Sequence, residues 1–248
     1  MLNQNIGRTV IYISECDSTN SLIKEQLSNF ESGTCVYTDN QKAGRGQFKN
    51  SWHTTPFLNI TASVLIRPYK LPIENQFILS IISSLAIYNY LNKQGIKNVE
   101  IKWPNDILIN RKKVAGILIE NTIQDAFISH SIIGIGLNVN EIFFPSFERS
   151  ATSLKLETGK DYDIKLELDE LLKSLNSYYE KWFVVGNSKL EEEYLKSVYG
   201  FNEWVEIEDA EGKKHVKITG IDKWGRIKTK QPDGLSGCYD LKEIKFLY

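Results

Sequence analysis

The chain has 248 residues, with 30 Lys plus Arg against 31 Asp plus Glu and a formal net charge of −1, so no global field draws it to nucleic acid or to an anionic membrane. That length allows a sizeable core, in one large α/β domain or in a large domain with a small one. Cys16, Cys35 and Cys238 are odd in number, widely spaced and without a CxxC pair, which excludes a disulfide framework and a zinc site and suits a reducing compartment.

The chain opens with MLNQNIGRTV, which lacks the basic start and long apolar stretch of a secretory signal; no later apolar run approaches a membrane span, so a cytoplasmic protein is expected. A short alternating strand at residues 10–13 leads to Asp17, Ser18 and Thr19, good helix-capping types, ahead of an amphipathic run with Leu22, Ile23 and Leu27. A second strand is predicted at residues 35–38. It runs into QKAGRGQFKNSWHTTP, a long loop with two close glycines and no apolar period, of the kind that usually forms a lid or binding loop. Residues 57–66 alternate, with Leu58, Ile60, Ala62, Val64 and Ile66 on one side and Asn59, Thr61 and Ser63 on the other; one face packs and the other meets solvent or ligand.

From residue 73 to 91 the apolar spacing predicts a helix buried against the sheet. Strands are then predicted at residues 99–102, 107–109, 114–119, 126–129 and 132–139, a succession that suggests an antiparallel or mixed sheet and not a doubly wound one. A helix is expected through Leu168, Leu175 and Trp182, and a shorter one over 190–198. After about Tyr199 the turns Glu211-Gly212, Trp224-Gly225 and Asp233-Gly234 punctuate short strands. The expected division is therefore residues 1–198 and a small barrel-like unit over 199–248.

Several short blocks carry chemistry-bearing residues. KWPND, residues 102–106, sits between two strands and is ordinary turn chemistry when taken alone. RKKVAGILIEN, residues 111–121, brings three cations to the mouth of a strand whose Gly116 permits close approach to the backbone; a solvated cationic turn explains it as well. In GIGLNVN, residues 134–140, Gly134, Gly136, Asn138 and Asn140 share one face, which suits a bound ligand or tight backbone packing equally. AGRGQFKN is neither GxxxxGK[ST] nor GxGxxG and precedes no obvious helix, which excludes a P-loop enzyme and a Rossmann dehydrogenase. His53, His130 and His215 lack ligand spacing, so no protein metal cage is expected.

Taken in order, DSTN (17–20), QKAGRGQ (41–47), Trp52, KWPND, KVAGILIE (113–120) and GIGLNVN resemble the signature blocks of biotin-protein ligases. The blocks span about residues 10–140, and the compact C-terminal unit resembles that family's small SH3-like domain. The resemblance implies an α+β fold, a mixed sheet covered by helices as in class II synthetases, with a small SH3-like barrel behind it. It implies activation of biotin by ATP with Mg²⁺, giving biotinyl-5'-AMP, and transfer of biotin to one lysine of a biotin carboxyl carrier protein or domain. Regulatory members begin with a DNA-binding domain; with the first strand near Val10, no DNA partner and no membrane partner are expected, and a homodimer is left open.

The resemblance also assigns the site. Biotin is expected against Ser18, Thr19, Asn20 and Gln41, against Gly44, Arg45, Gly46 and Gln47 of the glycine loop, and against Thr61, Ser63, Lys113, Gly116 and Gly136. ATP is expected against Arg45, Trp52, Asn105, Asp106, Lys113 and Asn138. A ureido ring needs both donors and acceptors, which Ser18, Thr19 and Gln41 supply. Charge developing at the α-phosphate needs fixed cations, for which Arg45 and Lys113 are the candidates. No metal ligand is assigned, because Mg²⁺ travels with ATP and needs only one or two protein oxygens, such as those of Asn105 and Asp106. Many members carry further basic residues where this sequence has Gln47 and Asn50, with Phe48 and Lys49 between them. A lipoate or octanoate ligase shares the general fold, but its RRxxGG-type block and following His-Asp are not evident. A catalytically inactive acceptor-binding adaptor is the remaining alternative. In a regular strand Lys113 and Gly116 face opposite ways, so the lysine is expected at the strand's entrance or on a bulge if both meet ligand.

Overall fold

A computed structural model describes residues 5–47, 50–145 and 151–247; Phe48 and Lys49 lie outside the described residues. Seven strands form one sheet in the order β1-β2-β3-β7-β6-β5-β4. They are β1 (Val10–Cys16), β2 (Cys35–Gln41), β3 (Asn59–Ile66), β4 (Val99–Lys102), β5 (Asp106–Ile109), β6 (Lys112–Gln124) and β7 (Phe127–Asn138). Within this sheet only the pair β1 and β2 is parallel, since α1 (Thr19–Glu25) crosses between them; β4 to β7 are joined by short turns and run antiparallel. The mixed sheet is the one expected. One expectation is corrected: residues 126–129 and 132–139 fall largely in a single strand, because His130 and Ser131 remain in the ladder with β6 and Ser129 is only a bulge between His130 and Ile128.

The two faces of this sheet differ. Ile60, Val64 and Ile66 of β3, Ile133, Ile135 and Leu137 of β7 and Ile117 of β6 point into the main core, which α2 (Ile78–Lys93) and α4 (Ile164–Ser197) cover. On the opposite face α1 and its neighbours close a small cluster of Ile23, Phe30, Val36, Leu65 and Ile132. Beyond α1 that face carries Thr61, Gly116, Gly134 and Gly136 beside Leu118, so it is mostly too small to build a core. The alternation of β3 therefore sorts the strand, but its polar face is not solvated: Asn59, Thr61 and Ser63 are all buried.

One helix boundary differs from the sequence reading. Residues Ile73–Asn75 form a separate single turn after Pro72, and α2 begins at Ile78. The two helices expected in the C-terminal half are both present within α4, separated by a kink at Gly186, whose backbone is not helical (φ 74°, ψ 176°), a conformation that glycine adopts at low cost. A short α3 (Leu154–Thr158) precedes them.

After α4 come β8 (Trp204–Asp209), β9 (Gly212–Ile221), β10 (Ile227–Lys230), β11 (Ser236–Tyr239) and β12 (Lys245–Leu247). They form an antiparallel sheet in the order β11-β10-β9-β8-β12, with hairpin turns at the glycine pairs read from the sequence. This is a correction to the expected barrel: β11 and β12 are the two edges of an open sheet, not partners. Val205, Ile207, Val216, Ile218, Ile227 and Phe246 join the same core as the large sheet. The junction is also polar, since the Trp103 indole N–H donates to the Gly225 carbonyl at 2.8 Å.

Candidate active site

The floor follows from strand register. Gly116 of β6 lies opposite Gly136 of β7, Leu118 opposite Gly134, and Thr61 of β3 opposite Gly136. With glycine at three of these positions, the sheet leaves a cavity of about 270 Å³. Its walls are the start of α1, the glycine loop, the turn between β4 and β5, and Leu241, Ile244 and Phe246 from the C-terminal sheet.

At one end the side chains are small and polar. Ser18 caps α1 by accepting the Ser21 N–H at 3.5 Å, which presents Thr19 and Asn20 to the floor. The Gln41 amide oxygen accepts the Thr19 backbone N–H at 3.0 Å. The Thr19 and Ser63 hydroxyls are 2.6 Å apart, and Ser63 donates to the Asn20 amide oxygen at 2.5 Å. The Asn20 amide N–H in turn donates to Glu120 at 2.7 Å. Donors and acceptors thus occur together in a largely buried row.

The other end is cationic. Asp106 receives Lys113 at 2.6 Å and Lys102 at 3.4 Å, so one carboxylate gathers two ammonium groups. Lys113 and Gly116 both line the cavity because the β5–β6 register slips between Ile107, opposite Ala115, and Leu108, opposite Lys113. That bulge, with Val114 as the extra residue, is the geometry the sequence reading required. Asn105 is fastened to the next strand: its side-chain N–H donates to the Ile117 carbonyl at 2.8 Å, and its own carbonyl accepts the Ile117 N–H at 3.0 Å. Arg45 reaches across from the loop and donates twice to Glu120, at 3.2 and 2.8 Å.

Trp52 occupies the floor between these ends. A Cβ on Gly136 would collide with its indole ring, and one on Gly116 would lie 2.9 Å from Cζ3; a Cβ on Gly134 would lie 2.5 Å from the Asn20 amide oxygen. The glycines, which sequence left open between packing and ligand, make room here for the chain's own side chains. The Trp52 indole nitrogen is buried without a hydrogen-bond partner among the described residues, and Lys113 stands 5.4 Å from the ring centroid. Cys16, at the end of β1, is half-buried, and burial raises its thiol pKa above the ordinary value. It therefore stays protonated near neutral pH and is a poor nucleophile.

Of the residues expected from sequence, Ser18, Thr19, Asn20, Gln41, Arg45, Gly46, Gln47, Trp52, Thr61, Asn105, Asp106, Lys113, Gly116 and Gly136 line this one cavity. Three do not. Ser63 lies beneath it, with no exposed surface, and acts on Thr19 and Asn20. Gly44 holds the loop, its carbonyl accepting the Trp52 N–H at 2.9 Å. Asn138 is turned away, its side chain donating to the Thr152 carbonyl at 3.0 Å. Sequence reasoning missed Lys102, although it opens the KWPND block, and the C-terminal wall, for which no local pattern gives a signal. Among the described residues no group of three or more His, Cys, Asp or Glu is placed to hold a metal ion.

A glycine-floored cavity on a mixed sheet, polar at one end and cationic at the other, defines a protein that binds a small polar-headed molecule beside an anion. Residues 12–138 match the Biotin/lipoate A/B protein ligase family, and the chain belongs to that family. It is 29% identical over 238 residues to the bifunctional ligase/repressor BirA of Bacillus spizizenii, a match covering 94% of this chain and 73% of that protein. It is 27% identical to the biotin–[acetyl-CoA-carboxylase] ligase of Paracoccus denitrificans, covering 90% of this chain and 94% of the other. Its structure is similar to biotin protein ligase from Aquifex aeolicus in complex with biotin and ATP, with a TM-score of 0.81, 27% identity, and 97% and 99% of the two chains covered.

Proposed function

We propose that this chain is an ATP-dependent biotin–[acetyl-CoA-carboxylase] ligase. The biotin carboxylate attacks the α-phosphate of ATP, forming biotinyl-5'-AMP and releasing pyrophosphate; the amine of an acceptor lysine then attacks the acyl carbon, forming the amide and releasing AMP. The observation that carries this reading is the single cavity in which the Thr19–Ser63–Asn20 row and Gln41 lie at one end and Lys113, Lys102 and Asp106 at the other. A cyclic urea needs the first set, and an α-phosphate gaining charge needs the second.

In this reading Ser18, Thr19, Asn20, Gln41 and Thr61 recognise the ring of biotin, with Ser63 holding them from below. Gly44, Gly46 and Gln47 shape the loop over it, and Gly116 and Gly136 form the floor once Trp52 moves aside to meet the nucleotide. Arg45 and Lys113 are the catalytic residues, Lys113 leaving Asp106 for the phosphate while Lys102 keeps that carboxylate compensated. Asn138 supports the site from behind, which differs from the contact with ATP expected from sequence. Mg²⁺ enters with ATP, and the carboxylate of Asp106 with the amide oxygen of Asn105 fits the one or two protein oxygens that such an ion takes, where it offsets phosphate charge.

The acceptor is a biotin carboxyl carrier protein or domain, consistent with a chemistry that ends on a lysine amine. The balanced charge supports a protein partner over DNA. No helix among the described residues is long and apolar enough to cross a membrane, and the free cysteines Cys16, Cys35 and Cys238 suit a cytoplasmic setting. Residues 1–198 form the catalytic unit and 199–248 the SH3-like unit. ATP–pyrophosphate exchange, run with biotin, with lipoate and with neither, tests the reading. Exchange with biotin alone is expected; exchange with lipoate alone, or with neither, overturns it.

A further inference from the structure

We propose that Glu120 is a positioning residue for this reaction: it fixes Arg45 at the rim of the cavity and orders the polar row at the cavity's head. The inference rests on the ligase reading above. Glu120 stands two residues beyond Leu118 and four beyond Gly116 on β6, on the strand face that floors the cavity. Its carboxylate is approached from two directions. Arg45 donates one N–H to each oxygen, at 3.2 and 2.8 Å, and the Asn20 side chain adds a third bond at 2.7 Å. A fork of this kind fixes the plane of a guanidinium as well as its place, while using only two of its five N–H groups. The others are left to face an anion.

The bond to Asn20 has a longer reach. A carboxylate only accepts, so Asn20 must turn its NH₂ to Glu120 and its oxygen toward Ser63. Ser63 then spends its single proton on Asn20, at 2.5 Å, and must accept from Thr19, at 2.6 Å. With its proton drawn to Ser63 at 2.6 Å in preference to the Gln41 amide oxygen at 3.4 Å, Thr19 offers its oxygen to a ligand as an acceptor. Gly134 permits the row, since any Cβ there would press on the Asn20 amide. The Glu120 carboxylate is therefore the stronger of two acceptors that set the direction of every proton back to Thr19, since the Leu118 carbonyl accepts from the same NH₂ at the longer distance of 3.4 Å. Of the two, it alone also holds the loop cation. A glutamine in its place keeps the shape but presents either an oxygen or an NH₂; Asn20 can then turn over, and Arg45 loses its counter-charge.

The test is a double-mutant cycle on the full-length protein, with single-turnover formation of biotinyl-adenylate measured over a range of biotin at saturating ATP. Four proteins are compared: wild type, Arg45→Ala, Glu120→Gln and the double variant. Glu120→Gln is expected to lower the rate by about 10- to 100-fold, less than loss of the donor itself, and to lower it less than about twofold further in the Arg45→Ala background. A second effect separates positioning from mere support of the fold: the biotin concentration giving half the maximal rate should rise with Glu120→Gln in both backgrounds, since Asn20 is affected in both. Additive losses of rate, or a Glu120→Gln enzyme with wild-type rate and biotin dependence, overturn the inference while leaving the ligase reading intact. A wild-type protein that forms no biotinyl-adenylate overturns the reading and the inference with it. Should Glu120→Gln not fold, Glu120→Asp, which keeps the charge on a shorter arm, serves in the same cycle with the same deciding outcomes.

Discussion

Lys113 illustrates how far a single residue could be read in advance. Its place before a glycine-containing strand was visible, and so was the conflict between its parity and that of Gly116; the register slip at Val114 resolves that conflict. The ion pair with Asp106 could not be read, because it depends on how two strands align. Lys113→Ala should remain folded, since Lys102 still compensates Asp106, yet lose about 10²- to 10³-fold in adenylation, as expected for one preorganised charge-stabilising donor. Lys113→Arg should recover only part, because a broad planar guanidinium does not replace a compact ammonium. Single-turnover adenylate formation, alongside a thermal melt, checks both; a folded Lys113→Ala enzyme at wild-type rate rejects the role. Gly136 offers the opposite case, a residue whose need is steric. Gly136→Ala should cost roughly 1–3 kcal/mol, the usual range for forcing atoms into packed space, and much less in a Trp52→Ala background, because the indole is what the new methyl group meets. Denaturant unfolding of the four proteins measures this, and an equal cost in both backgrounds would show that Trp52 is not the obstacle.

At the scale of elements, what was legible was what local pattern controls. The amphipathic helices, the alternation of β3 and the hairpin glycines of the C-terminal sheet all appear where periodicity and turn chemistry put them. An error lies where tertiary contact overrides pattern: His130 and Ser131 are carried through as strand because Thr122 and Asn121 of β6 pair with them, with Ser129 taken up as a bulge. The glycine loop is an intermediate case. It lacks a core of its own, as its composition indicated, but it is not without order. Arg45 pairs with Ser51, the Gly46 N–H reaches the Asn50 carbonyl at 2.7 Å, and the Trp52 N–H reaches the Gly44 carbonyl. Beyond the backbone bonds of Lys42 and Ala43 to the Cys16 and Asp17 carbonyls, it is attached through the Arg45–Glu120 pair, whose partners are partly exposed, and through Trp52, whose buried indole nitrogen lacks a partner among the described residues. Such a segment opens easily. Amides of Gly46 and Trp52 should therefore exchange quickly in the free protein and slow by more than tenfold, about 1.4 kcal/mol of added protection, with biotin and ATP bound. High and unchanged protection in both states would show the loop to be fixed before ligand arrives.

At the scale of the whole molecule, the pattern changes near Tyr199 while the core runs on across that change. The C-terminal sheet's inward residues belong to the same cluster as those of the large sheet. Tyr199 donates its N–H to the Ile101 carbonyl at 2.9 Å, and Phe246 packs edge-on against Tyr199 with 6.0 Å between centroids. The buried Trp103 indole N–H is satisfied only across the junction, by Gly225. Separating the sheets would expose the apolar side of β8 and β9 and leave that donor unpaired, a cost of about 1–3 kcal/mol for the hydrogen bond alone. Neither sheet then has a stable state in which the other is unfolded, so heat should unfold the chain in one cooperative transition with calorimetric and van't Hoff enthalpies equal. Phe246→Ala sharpens the test, since removing a buried phenylalanine typically costs about 3–5 kcal/mol. In one cooperative unit that loss should lower the single transition intact, as followed by both near-ultraviolet and far-ultraviolet circular dichroism. Because Phe246 also walls the cavity, the same variant should raise the ATP concentration needed for half-maximal adenylation. A second, lower transition confined to the C-terminal strands, with the first one unmoved, would show instead that the small sheet folds by itself and merely leans on the site.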